Sequence, residues 1–100
     1  MVMKEVLRAI GSRCVESSAG WKVDVMSAAV LSYEEEGKSI RLELEDRPDA
    51  QGELEWILYT PERWTWSGKD EPLAGEKISE ILNRIELAFW KLDLTMKEIV

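Results

Sequence analysis

Strict alternation of apolar and polar residues is the feature that most limits how this chain can fold. Residues 38–46 and 53–60 place apolar side chains at every second position, with mostly charged residues between them. A period of two is the signature of a β-strand with one buried and one solvent-exposed face. The apolar positions that define the buried face of these two predicted strands are Ile40, Leu42, Leu44, Leu54, Trp56 and Leu58.

Further strand signals lie on both sides of this pair. Residues 21–25 alternate in the same way, and residues 29–33 are rich in apolar side chains. The charged segment 34–38 predicts a hairpin turn, in which Gly37 can supply a positive φ. Alternation returns at residues 92–97, which predicts a final strand.

Two segments show helical spacing. Residues 76–91 carry an apolar stripe at i, i+3, i+4 and i+7, which predicts a long amphipathic helix. The stripe consists of Ile78, Ile81, Leu82, Ile85, Ala88, Phe89 and Leu92. Near the start of the chain, Met3, Val6, Leu7 and Ile10 also fall at helical spacing, with Gly11 following as a C-terminal cap. We therefore predict a short N-terminal helix.

Residues 1–100 are predicted to form a single α+β domain. Consecutive strands joined by short turns favour an antiparallel meander of four to five strands, apolar on one face and polar on the other. The amphipathic C-terminal helix must bury its stripe, and the apolar face of the sheet supplies the surface.

Composition narrows the classes of function. The chain has 13 lysines and arginines against 20 aspartates and glutamates, no histidine and a net charge of −7. Phosphate binding needs clustered lysine and arginine, so we expect neither nucleic-acid binding nor attachment to anionic membranes. No apolar run reaches the roughly 20 residues of a membrane span, and we expect no signal peptide. Cys14 is the single cysteine, which suits a reducing compartment, and we predict a cytoplasmic protein.

Most of the negative charge lies in one block, residues 34–55. Its nine acidic and three basic residues sum to a charge of −6, out of a net charge of −7 for the whole chain. The acids are Glu34, Glu35, Glu36, Glu43, Glu45, Asp46, Asp49, Glu53 and Glu55. A concentrated negative surface is typical of a protein that meets a positively charged partner. The alternative is a solvated face that keeps the protein soluble and discourages edge pairing.

Pairing of the two alternating strands would gather part of this block on one face. The polar positions of residues 38–46 and 53–60 would then lie on the side that turns away from the helix. The side chains expected on that face are Arg41, Glu43, Glu45, Glu53, Glu55 and the exposed Ile57 and Tyr59. We predict that this face docks on a basic groove of a protein partner.

A second candidate site is the aromatic segment that follows. Tyr59, Trp64 and Trp66 lie in or next to a loop. Such side chains dominate binding hot spots because they bury much area with few rotatable bonds. The alternative is that Trp64 and Trp66 cap the core where the helix meets the sheet. In an extended segment they would point in opposite directions, so that one could be buried and the other exposed.

Signals for catalysis and for cofactors are weak. Without histidine there is no histidine-dependent triad, zinc site or proton shuttle. Glu43 and Glu55 could form an acid–base couple across two strands, but such a couple needs burial to separate its two pKa values. The spacing of residues 46–53 does not match a calcium-binding loop. We therefore predict a protein that is not an enzyme and that uses no metal or cofactor.

A pattern of residue types runs from residue 20 to about residue 96. Its segments are Gly20-Trp21-Lys22-Val23-Asp24-Val25, Leu31-Ser32-Tyr33-Glu34-Glu35, Leu58-Tyr59-Thr60 leading to Trp64 or Trp66, Pro72-Leu73, and Ile78 to Phe89. The pattern resembles small immunity proteins of bacterial polymorphic-toxin and contact-dependent growth-inhibition systems. The resemblance implies a cytosolic inhibitor that binds a cognate toxin domain and blocks it.

The leading hypothesis is an immunity protein, monomeric when free, whose carboxylates steer it to a basic active-site or substrate groove. Its aromatic residues would then slow release. The runner-up is a small acidic secretion chaperone or adaptor, which would expose apolar grooves and dimerise. A third class is a divergent carboxylate enzyme or metal-binding domain. Blocking the toxin's active site directly and binding beside it are both open.

Overall fold

A computed structural model describes residues 4–100, which form seven strands and one helix. In chain order the elements are β1 (Leu7–Ile10), β2 (Cys14–Ser17), β3 (Trp21–Val25), β4 (Val30–Glu35), β5 (Lys38–Pro48), β6 (Leu54–Tyr59), α1 (Gly75–Lys91) and β7 (Thr95–Ile99). The strands form one sheet in sequence order. Among the described residues, no helix has both the length and the apolar character needed to cross a membrane.

The sheet is mixed, because β1 to β6 pair antiparallel and β6 pairs parallel with β7. The parallel pair arises since α1 and the loop before it carry the chain back across the sheet before β7 begins. The α+β prediction is confirmed. The prediction of four to five strands is wrong, because β1 and β2 have only four residues each and are too short to show a clear period.

The predicted N-terminal helix is also wrong. Residues Leu7–Ile10 form β1, which pairs antiparallel with β2, while Met3 lies outside the described residues. The Val6 N–H donates to Ser18 Oγ at 2.8 Å, and the Val6 carbonyl oxygen accepts from the Ser18 N–H at 2.9 Å. A pattern of only a few apolar residues fits either a helix or a strand. In β1, pairing with β2 satisfies the backbone N–H and C=O groups. Gly11 has a φ of +71° in the turn between β1 and β2.

Other elements lie close to their predicted positions. The strands predicted at residues 21–25, 38–46 and 53–60 are found as β3, β5 and β6, and the long helix is found as α1. The last strand begins at Thr95, three residues later than predicted. Residues 92–94 instead terminate α1, and the Leu94 N–H donates to the Phe89 carbonyl oxygen at 2.9 Å.

A two-residue turn, Glu36-Gly37, joins β4 to β5. Its φ values are +48° and +75°. Two consecutive positive values are typical of a type I′ turn, whose twist matches that of the flanking strands. Gly37 therefore supplies the expected positive φ. Glu36 adopts the same region at a cost of about 1 kcal/mol, because its Cβ crowds the following carbonyl oxygen.

The core lies between α1 and one face of the sheet, which we call the helix face. The helix α1 contacts β1, β2 and β3 at one end of the sheet and β7 at the other end. The sheet therefore curls around α1. The helix buries Ile81, Ile85, Ala88 and Phe89. The sheet contributes Val15, Trp21, Val23, Tyr33, Leu42, Trp56 and Leu58 among others. The opposite side of the sheet, which α1 does not cover, we call the open face.

Candidate functional site

The open face of β5 and β6 gathers several of the predicted site residues. Residues directly opposite each other on paired strands point to the same side of the sheet. The facing pairs here are Glu43–Tyr59, Glu45–Ile57 and Arg47–Glu55. The structure thus brings Glu43, Glu45, Glu55 and Tyr59 together on one face. Glu53 lies in the loop between the two strands, where its side chain is exposed.

Tyr59, Glu45 and Arg47 form a hydrogen-bonded chain on this face. The Tyr59 hydroxyl donates to Glu45 Oε1 at 2.5 Å, and Arg47 Nε and Nη2 donate to the two oxygens of Glu45 at 2.6 and 3.1 Å. The hydrogen bonds from Arg47 and then from Tyr59 hold the pKa of the Glu45 carboxyl below its ordinary value. The hydrogen bond to Glu45 raises the pKa of Tyr59. The three side chains therefore form a pre-oriented group.

Ile57 is buried, in contrast to the expectation of an exposed apolar contact. Its side chain is 3% exposed, although it lies on the open face. Glu45 and Glu98 flank it on the neighbouring strands. Ile57 therefore supports the strands beneath the charged side chains and offers no apolar surface to a partner.

Several carboxylates of the open face are paired with the chain's own bases. Lys22 Nζ lies 3.1 Å from Glu34, and Lys97 Nζ lies 3.9 Å from Glu55. Cross-strand pairs of opposite charge stabilise sheets, which accounts for this arrangement. Among the residues that the structure describes, Glu43 is exposed and has no ion pair within 4.0 Å. The open face is thus more balanced in charge than the sequence block predicts.

Glu35 belongs to the helix face, away from the other acids of the block. Its side chain is 7% exposed and lies 3.0 Å from Lys77 Nζ, while the Tyr33 hydroxyl donates to it at 2.7 Å. Arg84 Nη1 lies 3.5 Å away. Burial acts to raise the pKa of Glu35, but the hydrogen bonds from Tyr33 and Lys77 outweigh it and lower the pKa. Glu35 therefore ties α1 to β4 and is not available to steer a partner.

The remaining acids of the block are dispersed. Glu36 is exposed in the β4–β5 turn, and Asp46 lies half-buried on the helix face opposite Trp56. Asp49 Oδ1 accepts the N–H groups of Gln51 and Glu53 at 2.8 and 2.9 Å, so it holds the β5–β6 loop in shape. A block that is continuous in sequence therefore becomes four separate features: part of the open face, two turns, a half-buried carboxylate on the helix face, and a link to the helix.

The aromatic loop is largely part of the core. Trp66 is 8% exposed and stacks on Tyr33, with 6.2 Å between ring centroids. Trp64 is half-buried and packs against the core, and its carbonyl oxygen accepts the Leu73 N–H at 2.9 Å. The alternative that these tryptophans cap the core is confirmed for Trp66. Tyr59, half-buried and bonded to Glu45, is the aromatic residue that remains on the open face.

The exposed tryptophan is Trp90, at 73% exposure. It lies near the end of α1 and falls outside the apolar stripe of that helix. An aromatic residue off the stripe was the sequence signal that could have marked it as a candidate contact residue.

The open face can offer another macromolecule an exposed carboxylate on Glu43, beside side chains already fixed by Glu45. Polar groups that are already hydrogen-bonded to each other favour recognition, because less side-chain freedom is lost on binding. No protein-family model, curated protein or solved structure matched this chain.

Proposed function

We propose that this chain is an immunity protein that binds a cognate bacterial toxin domain in the cytoplasm and covers a basic active-site or substrate groove. The resemblance of residues 20–96 to small immunity proteins supplies the class of partner. The structural observation that supports recognition of a basic groove is the position of Glu43. It is exposed on the open face beside the hydrogen-bonded chain of Tyr59, Glu45 and Arg47.

Charge acts at two ranges in this proposal. The net charge of −7 attracts a basic partner over a distance and raises the association rate. At contact, Glu43 can pair with a lysine or arginine of the partner without first giving up an ion pair of its own. The carboxylate of Glu45 lies on the same face, but Arg47 and Tyr59 already bind it. Steering by the whole chain and contact by a few residues replace the docking of the whole face of Arg41, Ile57, Tyr59 and four glutamates that the sequence predicts.

Co-expression provides the direct test. The chain would be produced together with the toxin encoded beside it, and growth rescue and co-purification would be scored. Glu43→Lys is expected to slow association by about 3- to 10-fold at low salt and to flatten its salt dependence. Glu62→Lys is the matched control, because it changes the net charge equally at an exposed loop position outside the sheet. Equal loss in both variants would mean that only total charge matters and would overturn the role of the open face.

A secretion chaperone or adaptor is the second candidate function. The exposed apolar side chains of Trp90 and Leu87 on α1 favour it, since such proteins hold apolar client segments. Light scattering separates the two candidates. A stable dimer that binds an unfolded client supports the adaptor, and a monomer that binds a folded toxin domain supports the immunity protein.

A further inference from the structure

We propose that the edge of β7, together with Trp90, binds an extended segment of the partner protein that alternates apolar and basic side chains. The proposal deepens the immunity function above and rests on it for the identity of the partner. It concerns a groove between the second half of α1 and β7, which we call the β7 groove.

The β7 groove has the form of a peptide site. Its volume is about 550 Å³, and Phe89, Leu94, Met96 and Ile99 provide its apolar lining. Trp90 forms one wall, and at 73% exposure it is the most exposed large apolar side chain in the described part of the chain. Tryptophan in such a position is the residue type most enriched at binding hot spots.

The backbone of β7 can pair with an added strand. β7 is the last strand in the sheet order, so one of its edges faces away from β6. The Val100 N–H donates to the Leu58 carbonyl oxygen, and the Val100 carbonyl oxygen accepts from Thr60, both at 2.8 Å. Backbone direction alternates along a strand, so the N–H and C=O of Ile99 point to the free edge. An extended segment can add to such an edge through main-chain hydrogen bonds.

Charge at the groove selects basic side chains. Glu86 and Glu98 both line it, whereas the lysine there, Lys97, has Glu55 within 3.9 Å. Glu98 pairs with Ile57 and therefore points to the open face, while Ile99 pairs with Leu58 and points to the helix face. A bound strand would accordingly place apolar side chains beside Trp90 and basic ones beside Glu98. The same chemistry fits the basic partner proposed above.

A second copy of this chain fits the edge less well. In the fully overlapping antiparallel register, Lys97 of one copy would lie opposite Lys97 of the other. Like charges directly opposite are unfavourable, and lysine on an edge strand commonly prevents self-pairing. We therefore assign the groove to a segment of a different protein.

Peptide binding tests the assignment. The probe is a fluorescein-labelled, eight-residue peptide of alternating valine and lysine, and binding is followed by fluorescence anisotropy at low salt. Trp90→Ala is expected to weaken binding by about 10-fold or more. Leu87→Ala is the control, because Leu87 is an exposed apolar residue of the same helix that does not line the β7 groove. Equal affinity in wild type and Trp90→Ala would overturn the proposal, and so would equal loss in the two variants.

N-methylated peptides separate strand pairing from simple charge attraction. One version carries methyl groups on the valine amides and the other on the lysine amides. Because amides of alternate residues point to opposite sides of a strand, one version should lose binding and the other should keep it. Equal binding of both versions would contradict pairing with β7. A dimer in sedimentation that Trp90→Ala abolishes would contradict the assignment of the groove to a different protein. Toxin capture that depends on Glu43 but not on Trp90 would overturn this inference and leave the proposed function in place.

Discussion

Arg84 donates a hydrogen bond to the hydroxyl of Tyr33 at 2.7 Å, although 51 residues separate them in the sequence. The same hydroxyl donates to Glu35, and Lys77 contacts the other side of that carboxylate. Arg84 also lies over the Trp21 ring, 5.7 Å from its centroid. These contacts join α1 to β3 and β4 through polar groups at the border of the core.

Removal of Glu35 should destabilise the fold. Glu35→Ala would leave the Tyr33 hydroxyl without its acceptor in a largely buried position and would remove one of the two carboxylates that bind Lys77. We expect a loss of about 2 kcal/mol in the free energy of unfolding. Glu34→Ala is the control, because it removes only an exposed pair with Lys22 and should cost at most about 1 kcal/mol. Urea denaturation of the three proteins measures the difference. Similar midpoints for both variants would contradict a structural role for Glu35.

Acidification should destabilise the protein partly through the same residue. The pKa of Glu35 is lowered in the folded state, so the unfolded chain binds protons more readily. Its contribution is therefore complete above the unfolded pKa of about 4.3 and is lost as the pH falls through the lower folded pKa. Glu35→Gln should be less stable than wild type at neutral pH and should lose less stability on acidification. If the free energies of unfolding of the two proteins fell equally between neutral pH and a pH of about 3, Glu35 would not contribute to the acid sensitivity.

Two tryptophans should differ sharply in their effect on stability. Trp66→Ala removes a buried ring that stacks on Tyr33 and lies under Lys38, and it should cost about 3–5 kcal/mol. Trp90→Ala removes an exposed ring and should change stability by at most about 0.5 kcal/mol. Thermal or urea unfolding checks both values. A large destabilisation by Trp90→Ala would indicate that this side chain supports the fold and is not reserved for a partner.

The β4–β5 turn should respond in opposite directions to two substitutions. Gly37→Ala places a Cβ at a φ of +75° and should destabilise by roughly 1 kcal/mol. Glu36→Asn creates the Asn-Gly pair that type I′ turns favour and should stabilise by about 0.5 kcal/mol. Comparison of unfolding midpoints tests the pair. A shift of the same sign in both variants would show that the turn conformation is not what determines their effect.

Sequence periodicity correctly predicted the strands and the helix whose side-chain pattern repeats over many residues. Residues 38–46 and 53–60 alternate over enough positions to distinguish strand from helix, and residues 76–91 repeat the helical stripe over four turns. The open-face positions of Glu43, Glu45, Glu55 and Tyr59 follow from the same alternation once β5 pairs with β6. Each of these features depends on side-chain spacing within a few residues, which the sequence contains in full.

Tertiary contacts determined the structure and burial of residues whose sequence signals are short or isolated. Leu7–Ile10 became a strand because β2 offered it backbone partners, although its apolar spacing also fits a helix. Glu35 left the acidic surface because Lys77 and Arg84, more than 40 residues away, meet it across the core. Trp66 was buried and Trp90 exposed by the way the long loop and α1 fold onto the sheet. Sequence alone determined which residues alternate and which form a stripe. The neighbours that cover or neutralise them come from distant parts of the chain, so only the folded structure could place them.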